Sequence, residues 1–290
     1  MRILVTGSGG FMGSRTAKYY GEKHEVWAPS HAELALENSE AVEKSLAEFR
    51  PQIILHCAAI SDIGETAKDP VRSRAANVDA PINLAKAARD LGAKLVICSS
   101  DQVYRISQRQ GQTAEDFLKP HQETEQGLQP IPLYGQQKIE AEQRCLAINP
   151  DTVALRLSWM YDLLTEAEWN KGRRNLGTIL LEAIETGNGL TFSATDYRGV
   201  TDVMTVIENL EKAWQLPGGS YNFGSPSSGS MVETVQKALQ LAGYENVPVT
   251  AAPAGELTNL AMDQTKLIAA GIQFEDTAKH LAKWIQEKRA

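Results

Sequence analysis

The stretch "VTGSGGFMG", residues 5–13, carries three glycines at intervals of three: Gly7, Gly10 and Gly13. Ahead of it "RILVT" is a short apolar, β-branched run, and behind it "FMGSRTAKYYGEK" places apolar residues at helical spacing. The glycines therefore occupy a strand-to-helix turn. A helix N-terminus there points free N–H groups at whatever fills the turn, and its dipole favours negative charge. Glycine reaches positive φ and has no Cβ, which lets a pyrophosphate approach the backbone. The plainer alternative is that the glycines only let the helix pack closely on its strand.

Working outward, similar apolar runs recur at "HEVWA" (24–28), "PQIILHCAA" (51–59), "AKLVICSS" (93–100) and "TVALRLSW" (152–159). Amphipathic segments such as "SEAVEKSLAEFR" (39–50) and "DAPINLAKAARDLG" (79–92) separate them. Continuous rather than alternating hydrophobicity marks strands buried on both faces, hence a parallel sheet covered by helices. The expected fold is α/β, a Rossmann-type doubly wound parallel sheet, with ligands at the C-terminal ends of its strands. After about residue 157 the βα rhythm breaks into a polar stretch, a helix near 176–186, and short elements separated by Pro and Gly. The expected division is a nucleotide-binding domain over 1–157, with part of about 190–225, and a smaller substrate-binding region over about 158–189 and 226–290.

The 290 residues, 42% of them hydrophobic, suffice for a sizeable core. A formal charge of −7 argues against nonspecific binding to nucleic acid or an anionic membrane. No segment approaches the roughly 20 apolar residues of a membrane span, and "MRILVTG" lacks a signal-peptide layout, so a cytoplasmic protein is expected. Cys57 and Cys98 lie in strand-like runs and Cys145 in a helical one. They offer no metal-ligand spacing and no disulfide framework, and all three read as buried free thiols, with no metal expected.

The run at 93–100 leads into "ICSSDQVY", and some thirty residues later "LYGQQKIEAEQ" opens a helix bearing Tyr134 and Lys138 four positions apart on one face. A Tyr hydroxyl is a poor acid or base at neutral pH, and a neighbouring ammonium lowers its pKa. Lys138 is expected to do so for Tyr134. Ser100 could then hold a carbonyl oxygen while Tyr134 exchanges a proton with it, giving a carbonyl/alcohol site. Taken alone, Y-x-x-x-K reads equally as a solvated helix face, and the glycine turn tips the balance.

The sequence resembles the extended short-chain dehydrogenase/reductase family: "TGSGGFMG" matches TGxxGxxG, "HCAA" an NAA-type strand end, and "YGQQK" YxxxK. Within it, "RPQIILHCAA", "SSDQVY", "PLYGQQKIEAE", "LRLSWMY" and "NLGTILLEAI" resemble the dTDP-4-dehydrorhamnose reductase-like sugar-nucleotide reductases. The resemblance implies that Gly7, Gly10, Phe11, Met12, Gly13, Ala58, Ala59 and Asn77 contact the dinucleotide. It further implies that Ser100, Tyr134 and Lys138 are catalytic, with Lys138 also bonding the nicotinamide ribose. Ser100, Asp101 and Trp159 would face the substrate, although a Trp ending a strand is as readily core packing. Lys171, Arg173 and Arg174 could pair with a substrate diphosphate, or form a solvated charged loop.

Two departures from the family pattern bear on the reaction. Gln102 stands where the family's 4,6-dehydratases carry a Glu, and an amide cannot take a proton at neutral pH, so dehydration is disfavoured while hydride transfer is untouched. The reductases' proline-rich C-terminal signature is replaced by "GELTNLAMDQTKL". Cofactor choice is read after the second strand, in "WAPSHAE". Ser30 and His31 offer donors there and no carboxylate, which favours NADP(H) and leaves NAD(H) open, while His31 reads equally as a surface residue.

The expected activity is NADPH-dependent reduction of a keto group on a nucleotide-linked sugar, with a homodimer possible. The alternatives are a sugar-nucleotide epimerase, and a non-catalytic NADP(H)-binding regulatory subunit like the β subunit of methionine adenosyltransferase.

Overall fold

The computed structural model describes residues 1–170 and 172–289. Its centre is a six-stranded sheet. The strands are β1 (Arg2–Thr6), β2 (Glu25–Trp27), β3 (Ile53–His56), β4 (Lys94–Ser100), β5 (Val153–Leu157) and the strand Gly219–Phe223. They lie in the order Gly219–Phe223, β5, β4, β3, β1, β2. β1 runs parallel to both β2 and β3, and β3 is parallel to β4. Succession thus proceeds one way from β1 to β2 and the other way from β3, and this switch opens a crevice at the strands' C-terminal ends. β3 is buried along its whole length and β1 after its first residue, as continuous apolar runs require.

Local chemistry sets the ends of the covering helices. Helix α1 (Phe11–Gly21) starts at Gly10. Helix α2 (Ser39–Phe49) starts at Asn38, whose side chain accepts from the Ala41 N–H, and stops where Arg50 turns left-handed at φ 52°. The Ala80–Leu91 helix has Pro in its first turn and ends at Gly92, φ 66°. Leu4, Ile54 and Leu95 of the sheet pack with Val42, Leu46, Leu84 and Ala88 of the helices in one core. Each such Val, Leu or Ile side chain contributes roughly 1.5–3 kcal/mol of burial.

The chain forms two compact units. One comprises Met1–Val103, Gly127–Arg156 and Ile207–Tyr221; the other comprises Tyr104–Gln126, Leu157–Val206 and the chain from Asn222 onward. The second unit has short parallel pairs, Trp159–Tyr161 with Val200–Asp202, Leu190–Phe192 with Val249–Ala251, and Asp196–Arg198 with Thr258–Leu260. Its core joins the helices Leu176–Thr186, Met231–Ala242 and Thr277–Arg289 through Leu180, Val235, Leu281 and Trp284. The helix expected near 176–186 forms at Leu176–Thr186, its start fixed by reciprocal capping between Asn175 and Thr178. Among the described residues no helix is long and apolar enough to cross a membrane.

Candidate active site

The three glycines have distinct duties. Gly7 sits at φ 74°, and a Cβ there would lie 2.6 Å from the Ala58 nitrogen. A Cβ on Gly13 would strike the Gly7 carbonyl, so this glycine serves close packing of α1 on the turn. Gly10 is different: its N–H donates to the Gly7 carbonyl at 2.8 Å, and a Cβ would meet only that carbonyl oxygen, at 3.1 Å. No side chain caps α1, and its first turn holds no acidic residue. Close packing explains two glycines, and the uncapped N-terminus beside the third fits a pyrophosphate.

Ala58 and Ala59 follow β3 at the mouth of the same crevice. The Ala58 N–H donates to Thr6 Oγ1 at 3.3 Å, and Thr6 Oγ1 lies 2.8 Å from His56 Nδ1. Asn77 is fully buried, and its amide is committed to protein: Nδ2 donates to the Ile60 carbonyl and to Gln137 Oε1, and Oδ1 accepts from the Ile60 N–H. It thereby ties the loop after β3 to the helix Leu133–Ile148. Phe11 and Met12 open α1, with the Arg15 guanidinium 4.2 Å over the Phe11 ring.

Ser100 ends β4, and Tyr134 and Lys138 lie in the first two turns of the Leu133–Ile148 helix; all three are buried. Ser100 Oγ lies 3.2 Å from Asp101 Oδ1 and accepts from the Gln102 N–H. Lys138 Nζ donates to the Cys98 carbonyl at 2.8 Å and lies 5.6 Å from the centre of the Tyr134 ring. Burial raises the Tyr134 hydroxyl well above its ordinary value, Asp101 adds to the rise, and a hydrogen bond with Ser100 opposes it. The structure thus corrects the expectation that Lys138 lowers Tyr134. The ammonium donates one of its hydrogen bonds to a backbone carbonyl, and burial lowers its own pKa. A neutral Tyr134 is the form that gives a proton to a carbonyl being reduced.

Gly135, Gln137 and Glu142 support this site and were not singled out from the sequence. A Cβ on Gly135 would strike the Gln102 carbonyl oxygen and come within 2.8 Å of Pro130 Cβ, so a glycine inside a helix was the available signal. Glu142 accepts from Ser99 Oγ, from Ser220 Oγ at 2.9 Å and from the Arg156 guanidinium at 2.7 Å, tying the helix to three strands. A cavity with room for a single water is lined by His56, Asn77, Cys98, Ser99 and Lys138. His56 Nε2 has no protein partner, and burial, with the Lys138 charge, lowers His56 to about 3.

The Ser30 and His31 reading needs correction. Glu33 Oε2 accepts from both the Ser30 N–H and its hydroxyl at 2.8 Å, and His31 Nε2 lies 2.8 Å from Glu37 Oε1. Carboxylates three and six residues further on fold back onto the donors, and the Ser30-x-x-Glu33 spacing, that of a capping pair, was the available signal. In the second unit Trp159 is half-buried against the core. Arg173 and Arg174 are exposed, with the Arg174 guanidinium 3.9 Å over the Trp169 ring. Lys171 lies outside the described residues. Of the cysteines only Cys145 is buried, while Cys57 and Cys98 are half-buried, contrary to expectation.

A doubly wound sheet, a glycine turn under an uncapped helix, and a buried Ser–Tyr–Lys set define an oxidoreductase of the extended short-chain dehydrogenase/reductase type. The chain belongs to the RmlD substrate binding domain family, whose family model matches residues 1–288. A dTDP-4-dehydrorhamnose reductase of Streptomyces griseus is 30% identical, covering 94% of this chain and 88% of that protein. The methionine adenosyltransferase 2 subunit beta of Pongo abelii is 28% identical over 93% of this chain and 83% of its own. The dTDP-4-dehydrorhamnose reductase of Bacillus anthracis, solved in complex with NADP, superposes with a TM-score of 0.81 at 23% identity, over 99% and 98% of the two chains. That likeness supports the fold.

Proposed function

We propose that the protein uses NADPH to reduce a keto group on a nucleotide-linked sugar, the class of reaction named for its S. griseus relative. The observation that carries the reading is the buried Ser100–Tyr134–Lys138 set in the same compact unit as the glycine turn. Gly7, Gly10 and Gly13, with the N-terminus of α1, would hold the pyrophosphate, and the reduced nicotinamide supplies the hydride when bound. Ser100 holds the substrate carbonyl oxygen, and Tyr134 delivers a proton to it as the alcohol forms. Lys138 bonds the ribose and keeps positive charge near the developing alkoxide. The substrate region comprises about 158–189 and 226–290, with Trp159, Arg173 and Arg174 offered to the sugar nucleotide. A cytoplasmic location and a homodimer complete the reading.

Offered a 4-keto-6-deoxy nucleotide sugar, the protein should oxidise one NADPH per product alcohol, measured by nicotinamide absorbance alongside chromatography of the product. Product without net oxidation would mean epimerisation. The mammalian adenosyltransferase subunit, similar over almost the whole chain, favours a second reading as a non-catalytic NADP(H)-binding subunit. NADPH binding with no oxidation across a broad set of keto sugars would establish that reading instead.

A further inference from the structure

We propose that Cys57 and Cys98 form an oxidative modification site beside the glycine turn, closed to a disulfide by hydroperoxides, and that its closure weakens dinucleotide binding. The register of β3 on β4 pairs His56 with Ile97, which sets the next residues, Cys57 and Cys98, opposite each other. Their sulfurs are 3.8 Å apart, and both residues are half-buried. Neighbouring strands lie about 4.8 Å apart, inside the range of Cα separations, about 4.4–6.8 Å, that a disulfide spans. Side-chain rotation closes part of the remaining gap, and movement of the two strand ends closes the rest. Cys145 is buried in the Leu133–Ile148 helix and takes no part.

The two thiols differ in character. The hydrogen bond with Cys57 lowers Cys98 against the opposing effect of burial, with the Lys138 charge adding to the fall, while the same hydrogen bond and burial both raise Cys57. Cys98 is therefore the attacking thiolate and Cys57 the resolving thiol. The Cys98 thiolate attacks one peroxide oxygen, the O–O bond breaks, and the other oxygen leaves after protonation as water from hydrogen peroxide or as an alcohol from an organic hydroperoxide, giving a sulfenic acid. The Cys57 sulfur then attacks that sulfur, an S–S bond forms, the S–O bond breaks, and water leaves. The two sulfurs lose two electrons and the peroxide gains two.

Closure would act on both sides of the candidate cofactor site. Gly7 sits so near the Cys57–Ala58 peptide that a Cβ would come within 2.8 Å of the Cys57 carbonyl carbon. The Cys98 carbonyl holds Lys138 Nζ. Drawing the sulfurs together displaces the backbone that seats the turn and the acceptor that aims Lys138. This consequence rests on the dinucleotide reading above, whereas the thiol chemistry does not.

The full chain is treated with hydrogen peroxide, analysed by intact mass and non-reducing peptide mapping, and titrated with NADPH before treatment, after it, and after dithiothreitol. The expected result is a loss of about 2 Da and a Cys57–Cys98 cross-linked peptide with Cys145 free. NADPH affinity should fall about fivefold or more and return on reduction. Cys57→Ser should abolish the mass loss. Thiols that stay free, or that pass separately to sulfenic or sulfinic acids, would overturn the site, and a cross-linked protein that binds NADPH like the reduced one would overturn the consequence. Reduced protein that forms the cross-link yet never binds NADPH would overturn the dinucleotide reading, and with it the effect on binding, leaving the thiol site standing.

Discussion

Tyr134 and Glu33 are the two side chains whose chemistry most directly tests the proposed site. A Tyr hydroxyl is protonated at neutral pH, the state a proton donor must hold, and burial raises Tyr134 further into that state. Tyr134→Phe should retain the fold and NADPH binding while turnover falls roughly 10²-fold or more, the usual scale for losing a general acid. An active variant would mean the proton comes from elsewhere. At Glu33, the hydrogen bond from the Ser30 N–H, then that from its hydroxyl, holds the carboxyl below its ordinary range, so it is ionised where a 2′-phosphate would dock. A 2′-phosphate bound at Ser30 would have to displace that charge. Glu33→Gln should therefore tighten NADPH by up to about fivefold, the scale of an exposed charge interaction, and leave NADH unchanged. Calorimetry with both cofactors decides this, and weaker NADPH binding in the variant would make Glu33 a support for Ser30 and not its competitor.

The decisive element is the Leu133–Ile148 helix. Tyr134 and Lys138 share one face of it, and Glu142, one turn further on, anchors it. The Arg156–Glu142 pair is almost wholly buried, at 4% and 2% exposure. Glu142→Ala removes the carboxylate that the buried Arg156 guanidinium pairs with and should cost about 3–5 kcal/mol in denaturant unfolding. Replacing both together, Glu142→Leu with Arg156→Met, should cost much less, because well-packed apolar residues avoid the desolvation of two charges. Equal losses for the single and double variants would assign the cost to packing alone.

Acid sensitivity is a property of the whole molecule, and it traces to His56. The folded protein keeps this ring neutral down to about pH 3, while the unfolded chain protonates it near its ordinary value of 6.5. Between those values the unfolded state binds the extra proton. The stability His56 contributes is thus complete above pH 6.5 and is lost progressively as pH falls towards 3. The slope approaches about 1.4 kcal/mol per pH unit in the middle of that window. Denaturant unfolding at pH 7, 6 and 5 should show this slope, and His56→Asn should flatten it; an unchanged slope in the variant would place the acid sensitivity on other groups. Much of the molecule follows from the chain alone. Runs of continuous apolar residues specify buried parallel strands, glycines at intervals of three specify the turn, and Y-x-x-x-K places two side chains on one helical face. These are short-range consequences of backbone geometry and of period, and they need no knowledge of what packs against them. Tertiary structure decided what depends on neighbours distant in sequence or on burial. It committed Asn77 to Ile60 and Gln137 and gave the Lys138 ammonium the Cys98 carbonyl as an acceptor. It also set Cys57 against Cys98 across 41 positions of chain and raised Tyr134 instead of lowering it. Desolvation and hydrogen-bond partnership belong to the packed environment, and no local pattern of residues encodes them.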